Sequence, residues 1–130
     1  VWIMNEREFK RRTKYLALRV IRLIEALEAL PYNLPARIIS KQLIRSATSV
    51  GAYYRSACRA KSTADIIAKL SLVEEEADES LYWMELIVES GLMSQEKLTS
   101  LMSETNEILA MTVASIKTLR MKSQSPKSKI

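Results

Sequence analysis

The chain contains no histidine and only one cysteine. Histidine is the commonest side chain for general base catalysis, and it completes the usual Ser and Cys triads and the Glu-x-x-His ligand set of di-iron bundles. These sites are therefore excluded. Cys58, as the only cysteine, excludes an intrachain disulfide and a cysteine zinc cluster, and it fits a reducing compartment. Because no glycine-rich phosphate loop is present either, we expect a protein that is not an enzyme and that needs no cofactor and no metal.

The chain is also poor in residues that interrupt helices. Its 130 residues include two glycines and three prolines, while 48% are hydrophobic. This composition is typical of an all-α domain. No apolar run reaches the roughly 18 residues that a membrane span needs, and no secretory signal pattern opens the chain. We therefore expect a soluble, cytoplasmic protein that makes no use of a membrane.

The apolar residues repeat at helical spacing in four segments, which predict helices over about 5–30, 34–61, 62–90 and 94–122. The first segment carries an alternating four-and-three seam, as helices in bundles do: Phe9, Thr13, Leu16, Val20, Leu23, Leu27 and Leu30. Four such helices with short connections predict an antiparallel up-down-up-down four-helix bundle over 5–122. The Ser- and Lys-rich segment 123–130 is predicted to be a disordered basic tail.

Local signals support these boundaries. Pro31 ends the first helix, and Asn33 is a good N-cap for the second. Ser62 followed by Asp65 resembles a capping box, although no Gly or Pro marks the boundary before it. Gly91 is suited to the position after the third helix.

The second helix has an unusual one-sided charge. No acid occurs between Glu28 and Asp65, and five cations fall within about 80° of one another on a helical wheel that starts at Arg37. These cations are Arg37, Lys41, Arg45, Arg55 and Arg59. The face between them holds the small residues Thr48 and Ala52, while apolar residues fill the opposite face. Like charges one turn apart repel each other, so we expect a compensating anion.

The third helix has the opposite charge, with eight acids against Lys69. Two interpretations stay open. The acids and the basic helix neutralise each other, within one subunit or between subunits, or the basic face binds an anionic ligand. The net charge of +5 suits such a ligand without proving it.

Other candidate sites have simpler explanations. The acidic run Glu74 to Glu79 is more typical of a solvated face than of a carboxylate metal site. Cys58, at the edge of the apolar face, is expected to be a packed thiol, and Tyr53 to pack on a neighbour rather than stack on a base. Gly51 in mid-helix costs about 1 kcal/mol relative to alanine, which predicts a close approach of another helix.

Two segments resemble a known family. The first segment runs from Gln42 to Ala52 and includes Arg55 after it. The second runs from Lys61 through Lys69-Leu70, Glu74, Glu79 and Tyr82-Trp83 to Glu85-Leu86. Both are similar to the four helix bundle proteins, also called 23S ribosomal RNA intervening-sequence proteins. A related branch is the accessory variability determinant of diversity-generating retroelements. The similarity spans roughly Phe9 to Thr118, with Tyr53 standing where relatives commonly carry Asn.

This resemblance implies a homopentameric, barrel-like ring with a basic surface. The retroelement branch implies two partners, a reverse transcriptase and nucleic acid. Arg45 and Arg55 match the family's basic positions, whereas Arg37, Lys41 and Arg59 rest on the helical wheel alone.

These observations lead to one hypothesis and one alternative. The hypothesis is a non-catalytic oligomeric adaptor that binds RNA or DNA phosphates through the basic face of the second helix. The alternative is a structural homo-oligomer or protein-docking module, in which basic and acidic helices pair between subunits and nucleic acid has no role.

Overall fold

The chain forms four α-helices in a computed structural model that describes residues 5–124. They are α1 (Glu6–Glu28), α2 (Leu34–Cys58), α3 (Thr63–Glu89) and α4 (Gln95–Gln124), and residues 5–124 contain no strand. The prediction of an all-α protein with four helices is confirmed. The predicted disordered tail lies mostly outside the described residues, but its first two residues, Ser123 and Gln124, belong to α4.

Side-chain caps start three of the helices. Asn5 accepts a hydrogen bond from the backbone N–H of Glu8, and Asn33 accepts one from Ala36, both at 2.9 Å. The hydroxyl of Ser62 accepts one from the N–H of Asp65 at 3.0 Å. Each bond satisfies an N–H that has no partner in the first helical turn. The caps predicted at Asn33 and Ser62 are confirmed.

The C-terminal ends depart from the predicted boundaries by a few residues. α1 ends at Glu28, because Pro31 disfavours helical backbone in the residue before it. α2 ends at Cys58 rather than near Lys61, since Ser62 must be extended to cap α3 and the chain needs the intervening residues to turn. Gly91 follows α3 with a φ of 80°, as predicted for the residue after a helix.

The core contains the apolar seams of all four helices. Fully buried members include Phe9 and Leu16 of α1, Leu43 of α2, and Leu70 of α3. Phe9 meets Tyr54 edge to face with ring centroids 4.7 Å apart, which fixes the register of α1 on α2. In sequence order, each helix packs against the next, and α1 also packs against α4. The arrangement leaves one face of every helix in contact with solvent.

Gly51 lies where α1 comes close to α2. A Cβ atom built on Gly51 would lie 3.4 Å from the Thr13 hydroxyl and 3.5 Å from the Thr13 carbonyl oxygen. The close helix approach predicted at this glycine is therefore confirmed. Its partner is Thr13, which is itself buried and donates its hydroxyl to the carbonyl of Phe9 at 3.0 Å.

An ion-pair cluster joins α1 to α4 on the other side of α1. Arg12 donates to Glu104 at 2.7 Å and to Glu107 at 2.9 Å, with only 20% of its side chain exposed. Further along α1, Arg19 donates to the Ser100 hydroxyl at 3.1 Å. No helix in the described part of the chain combines the length and apolar character that crossing a membrane requires.

Candidate functional site

The five cations predicted as the binding face all lie on the solvent side of α2 or at its C-cap. Arg37, Lys41, Arg45, Arg55 and Arg59 are each exposed, and so are the small residues Thr48 and Ala52 between them. The opposite side of α2 is buried, with Leu43, Ala47, Val50 and Tyr54 fully covered. The surroundings of the five cations nevertheless differ.

Arg45 is bonded to carboxylates of its own subunit. Its guanidinium donates to Glu76 at 3.1 Å and makes a second, shorter bond to Glu79. Trp83 also donates its indole N–H to Glu79 at 3.0 Å. These donors lower the pKa of Glu79, the Trp83 bond first and then Arg45. The hydrogen bond to Glu79 and the charge of Glu76 raise the pKa of Arg45, so Arg45 and Glu79 both stay charged at neutral pH.

The angular position of Arg45 on α2 explains this pairing. Ser46, the next residue, is buried against α3, and its hydroxyl lies 2.8 Å from that of Ser80. On the wheel Arg45 lies about 80° from Arg55, on the side toward Ser46 and α3. Arg45 therefore joins α2 to α3. For this arginine, the charge of the basic helix is neutralised by acids of the same subunit, which was one of the two interpretations of the charge pattern.

Arg55 faces a different neighbour, because it lines a groove between α1 and α2. This groove, called the α1–α2 groove below, is an open cavity of about 700 Å³. Its floor consists of small residues from both helices: Thr13, Ala17, Thr48, Gly51 and Ala52. The groove exists because side chains this small cannot fill the space above two closely packed helices.

Cations stand on both walls of the α1–α2 groove. Arg55 comes from α2, while Lys10, Arg11 and Lys14 come from α1. Lys10 pairs with Glu6 at 3.5 Å and Arg11 with Glu8 at 2.6 Å, one helical turn away in each case. Such exposed pairs contribute little, about 0.2–1 kcal/mol, so another anion can displace them. Within residues 5–124, Lys14 and Arg55 have no carboxylate within ion-pair distance.

Two large apolar side chains project from α1 at the same groove. Tyr15 is 57% exposed and Leu18 is 46% exposed, and they lie three residues apart on one helix face. Helical-wheel reasoning on α2 alone did not identify this wall. A signal was present in α1, because Tyr15 and Leu18 are apolar yet lie off the seam formed by Phe9, Thr13 and Leu16.

The remaining predicted cations lie elsewhere on α2. The Arg37 guanidinium stacks over the ring of Tyr32 at 5.4 Å, a cation–π contact at the start of the helix. Lys41 and Arg59 make no ion pair with any residue that the structure describes. Only Arg55 of the five borders the α1–α2 groove, so the structure does not gather the predicted face into one cavity.

The other candidate residues have structural surroundings. Tyr53 is half-buried against the core, which confirms the expectation that it packs on a neighbour. Burial raises the pKa of the Cys58 thiol, and the nearby charge of Glu6 raises it further, so the thiol is a poorer nucleophile than a free cysteine. In residues 5–124 no group of three or more acidic or cysteine side chains has the geometry to hold a metal ion.

Comparison with known proteins identifies the family of this chain. No curated protein matches the chain. A solved structure does match, with 33% sequence identity and a TM-score of 0.78, covering 88% of this chain and 99% of the other. It is a protein of unknown function from the S23 ribosomal protein family of Bacteroides thetaiotaomicron. Residues 6–114 match the 23S rRNA-intervening sequence proteins, and the chain belongs to that family.

Proposed function

We propose that this protein is a non-catalytic binding module for nucleic-acid phosphates and acts as an adaptor within a homo-oligomer. The proposal rests on the α1–α2 groove. Lys14 lines it from α1 and Arg55 lines it from α2, and neither has a carboxylate partner in the described chain. Lys10 and Arg11 add charge that only exposed acids of the same helix balance. The family description, which names a 23S rRNA-intervening sequence, supports an RNA context.

The chemistry of the groove favours phosphates over base edges. Lys and Arg bind phosphate oxygens without reading sequence, and base-edge recognition needs an element that enters a groove of the nucleic acid. The floor of the α1–α2 groove carries only small side chains. We therefore expect binding to RNA and DNA with little sequence preference.

This surface differs from the one predicted on α2 alone. Arg55, Lys41 and Arg59 remain available to a ligand, whereas Arg45 has to break its bonds to Glu76 and Glu79 before it can contact phosphate. Arg37 already stacks on Tyr32. The proposed contact surface therefore moves from the middle of α2 toward α1.

Fluorescence anisotropy with a labelled RNA strand tests the proposal. The groove variant combines Lys14→Ala with Arg55→Ala, and the control variant combines Lys117→Ala with Arg120→Ala on the exposed face of α4. Both variants lose the same charge. We expect the groove variant to bind about tenfold or more weakly than the wild type at low salt, and the control to bind nearly as well. Equal losses in the two variants would contradict a localised site.

Two proposals concern architecture, one for the helix order within a subunit and one for the assembly of subunits. We infer that α1 and α2 are antiparallel, because their paired contacts run in opposite senses, Phe9 with Tyr54 and Thr13 with Gly51. We extend the same up-down order to α3 and α4 because short connections join consecutive helices. A homopentameric ring with a reverse transcriptase partner is the further proposal, and its support is the family resemblance. Light scattering gives the subunit count directly.

A second candidate function, protein docking between subunits, draws support from α3. Its solvent side carries a stripe of exposed residues at alternating three and four spacing: Glu75, Asp78, Tyr82, Glu85 and Glu89. None of these acids has an ion pair within residues 5–124, so the stripe is complementary in charge to the basic groove of another copy. Size exclusion with light scattering at low and high salt discriminates the two functions. An assembly that dissociates in salt and does not bind RNA would favour docking.

A further inference from the structure

Phosphate binding does not explain the two large apolar side chains of the α1–α2 groove, Tyr15 and Leu18, and Tyr15 is the more exposed of the two. Tyr15 is 57% exposed at the α1–α2 groove, and its ring contacts no other ring in residues 5–124. The other exposed tyrosines differ, since Tyr82 packs on Trp83 with centroids 5.0 Å apart and Tyr32 lies under Arg37. Tyr15 therefore presents an aromatic ring that no other ring of the described chain covers.

The neighbours of Tyr15 define what that face can bind. Lys14 adjoins it on α1, Arg55 stands on the opposite wall, and Leu18 extends the apolar surface by one turn. An aromatic ring between cations is the arrangement by which proteins bind single strands, with phosphates on the cations and a base stacked on the ring. A duplex keeps its bases stacked inside the helix, where Tyr15 cannot reach them.

We propose that the α1–α2 groove prefers single-stranded to double-stranded nucleic acid, because one base stacks on Tyr15 while Lys14 and Arg55 contact the neighbouring phosphates. This inference rests on the proposed function and adds the class of ligand to it. Stacking does not depend on base identity, since every base has a π face, so the preference is for strandedness and not for sequence.

The geometry also sets the scale of the site. From Lys10 to Leu18 the groove wall on α1 rises about 12 Å, so the groove accommodates a short stretch of a strand. The groove is open to solvent above its floor, where Gly51 approaches Thr13, and this space leaves room for an unstacked base. One stacked base is worth about a fivefold to 150-fold change in affinity when the aromatic side chain is removed.

Three probes of equal length test the inference by anisotropy: an oligouridine strand, the same strand with abasic sites, and an RNA duplex. For the wild type we expect the intact strand to bind at least about fivefold more tightly than the abasic strand. Tyr15→Ala removes that difference, and Tyr15→Phe retains it because the ring remains. Tyr82 is similarly exposed, on the acidic face of α3, and Tyr82→Ala is the matched control that keeps the wild-type preference.

The outcomes separate the two proposals. Equal binding of intact and abasic strands, or tighter binding of the duplex, overturns the stacking inference and leaves phosphate binding intact. Absence of binding to all three probes overturns the proposed function itself. If Tyr15→Ala lowers the mass of the assembly in light scattering and leaves RNA affinity unchanged, the groove binds a second copy of the chain, and the inference is wrong.

Discussion

Replacing each of the two glycines by alanine tests the helix packing that creates the groove. In a helix interior, glycine is less stable than alanine by about 0.8–1.0 kcal/mol. A Cβ atom on Gly51 would lie 3.4 Å from the Thr13 hydroxyl, which is ordinary van der Waals contact. We therefore expect Gly51→Ala to raise the free energy of unfolding by about 0.5–1 kcal/mol.

The same substitution at Gly91 should have the opposite effect. Its φ of 80° is left-handed, and alanine in that conformation costs about 1–2 kcal/mol. A Cβ atom there would meet nothing within 4 Å, so no new contact offsets the backbone cost. The two variants, identical in chemistry, are thus expected to differ by about 2 kcal/mol in unfolding free energy.

Urea denaturation followed by far-ultraviolet circular dichroism measures this difference. The midpoints should shift in opposite directions with an unchanged slope, because neither change alters the surface exposed on unfolding. A Gly51→Ala variant as destabilised as Gly91→Ala would refute the reasoning, since it would mean that α1 and α2 lie closer than this structure has them.

Two further predictions concern the ion pairs. The pKa of Glu79 is lowered by Trp83 and then by Arg45, so its contribution to stability is present above the ordinary value of about 4.3 and is lost as pH falls through the lowered folded value. The urea midpoint of Glu79→Gln should consequently fall less between about pH 5 and 3 than that of the wild type or of Glu75→Gln; equal falls would contradict the pairing. Arg12→Ala should lower the unfolding free energy by about 1–3 kcal/mol, because it leaves the half-buried Glu104 without its donor. Arg11→Ala breaks only an exposed pair and should cost less than about 0.5 kcal/mol; a similar loss in both variants, measured in the same urea assay, would show that burial is not the cause.

The four helices were predictable because their determinants are local. Asn33 and Ser62 cap by bonding an N–H three residues on, and the seam from Phe9 to Leu27 repeats at the helical period. The close approach at Gly51 was also predictable, since a glycine within a helix often marks a place where another helix comes near, although a Cβ atom at Gly51 would still be in ordinary van der Waals contact with Thr13.

The composition of the groove was harder to predict because it depends on two helices. A wheel places Arg45 and Arg55 on one exposed arc of α2, but it does not say which neighbour borders each edge of that arc. α3 brings Glu76 and Glu79 to Arg45, whereas α1 brings Lys14 and Tyr15 to the side of Arg55. The charge pattern alone therefore does not distinguish Arg45, which has acidic neighbours, from Arg55, which has basic ones.

The salt dependence of RNA affinity tests the account most directly, because it counts the phosphate contacts made by the groove. The groove has four cations, Lys10, Arg11, Lys14 and Arg55. If each contacts one phosphate of a single strand, the slope of log affinity against log salt is about −2.8. Raising salt from about 50 to 200 mM should then weaken wild-type binding about 50-fold. With Lys14→Ala and Arg55→Ala two contacts remain, and the same change of salt should weaken binding only about sevenfold. An identical slope in wild type and variant, or a flat response in both, would contradict phosphate binding in the α1–α2 groove.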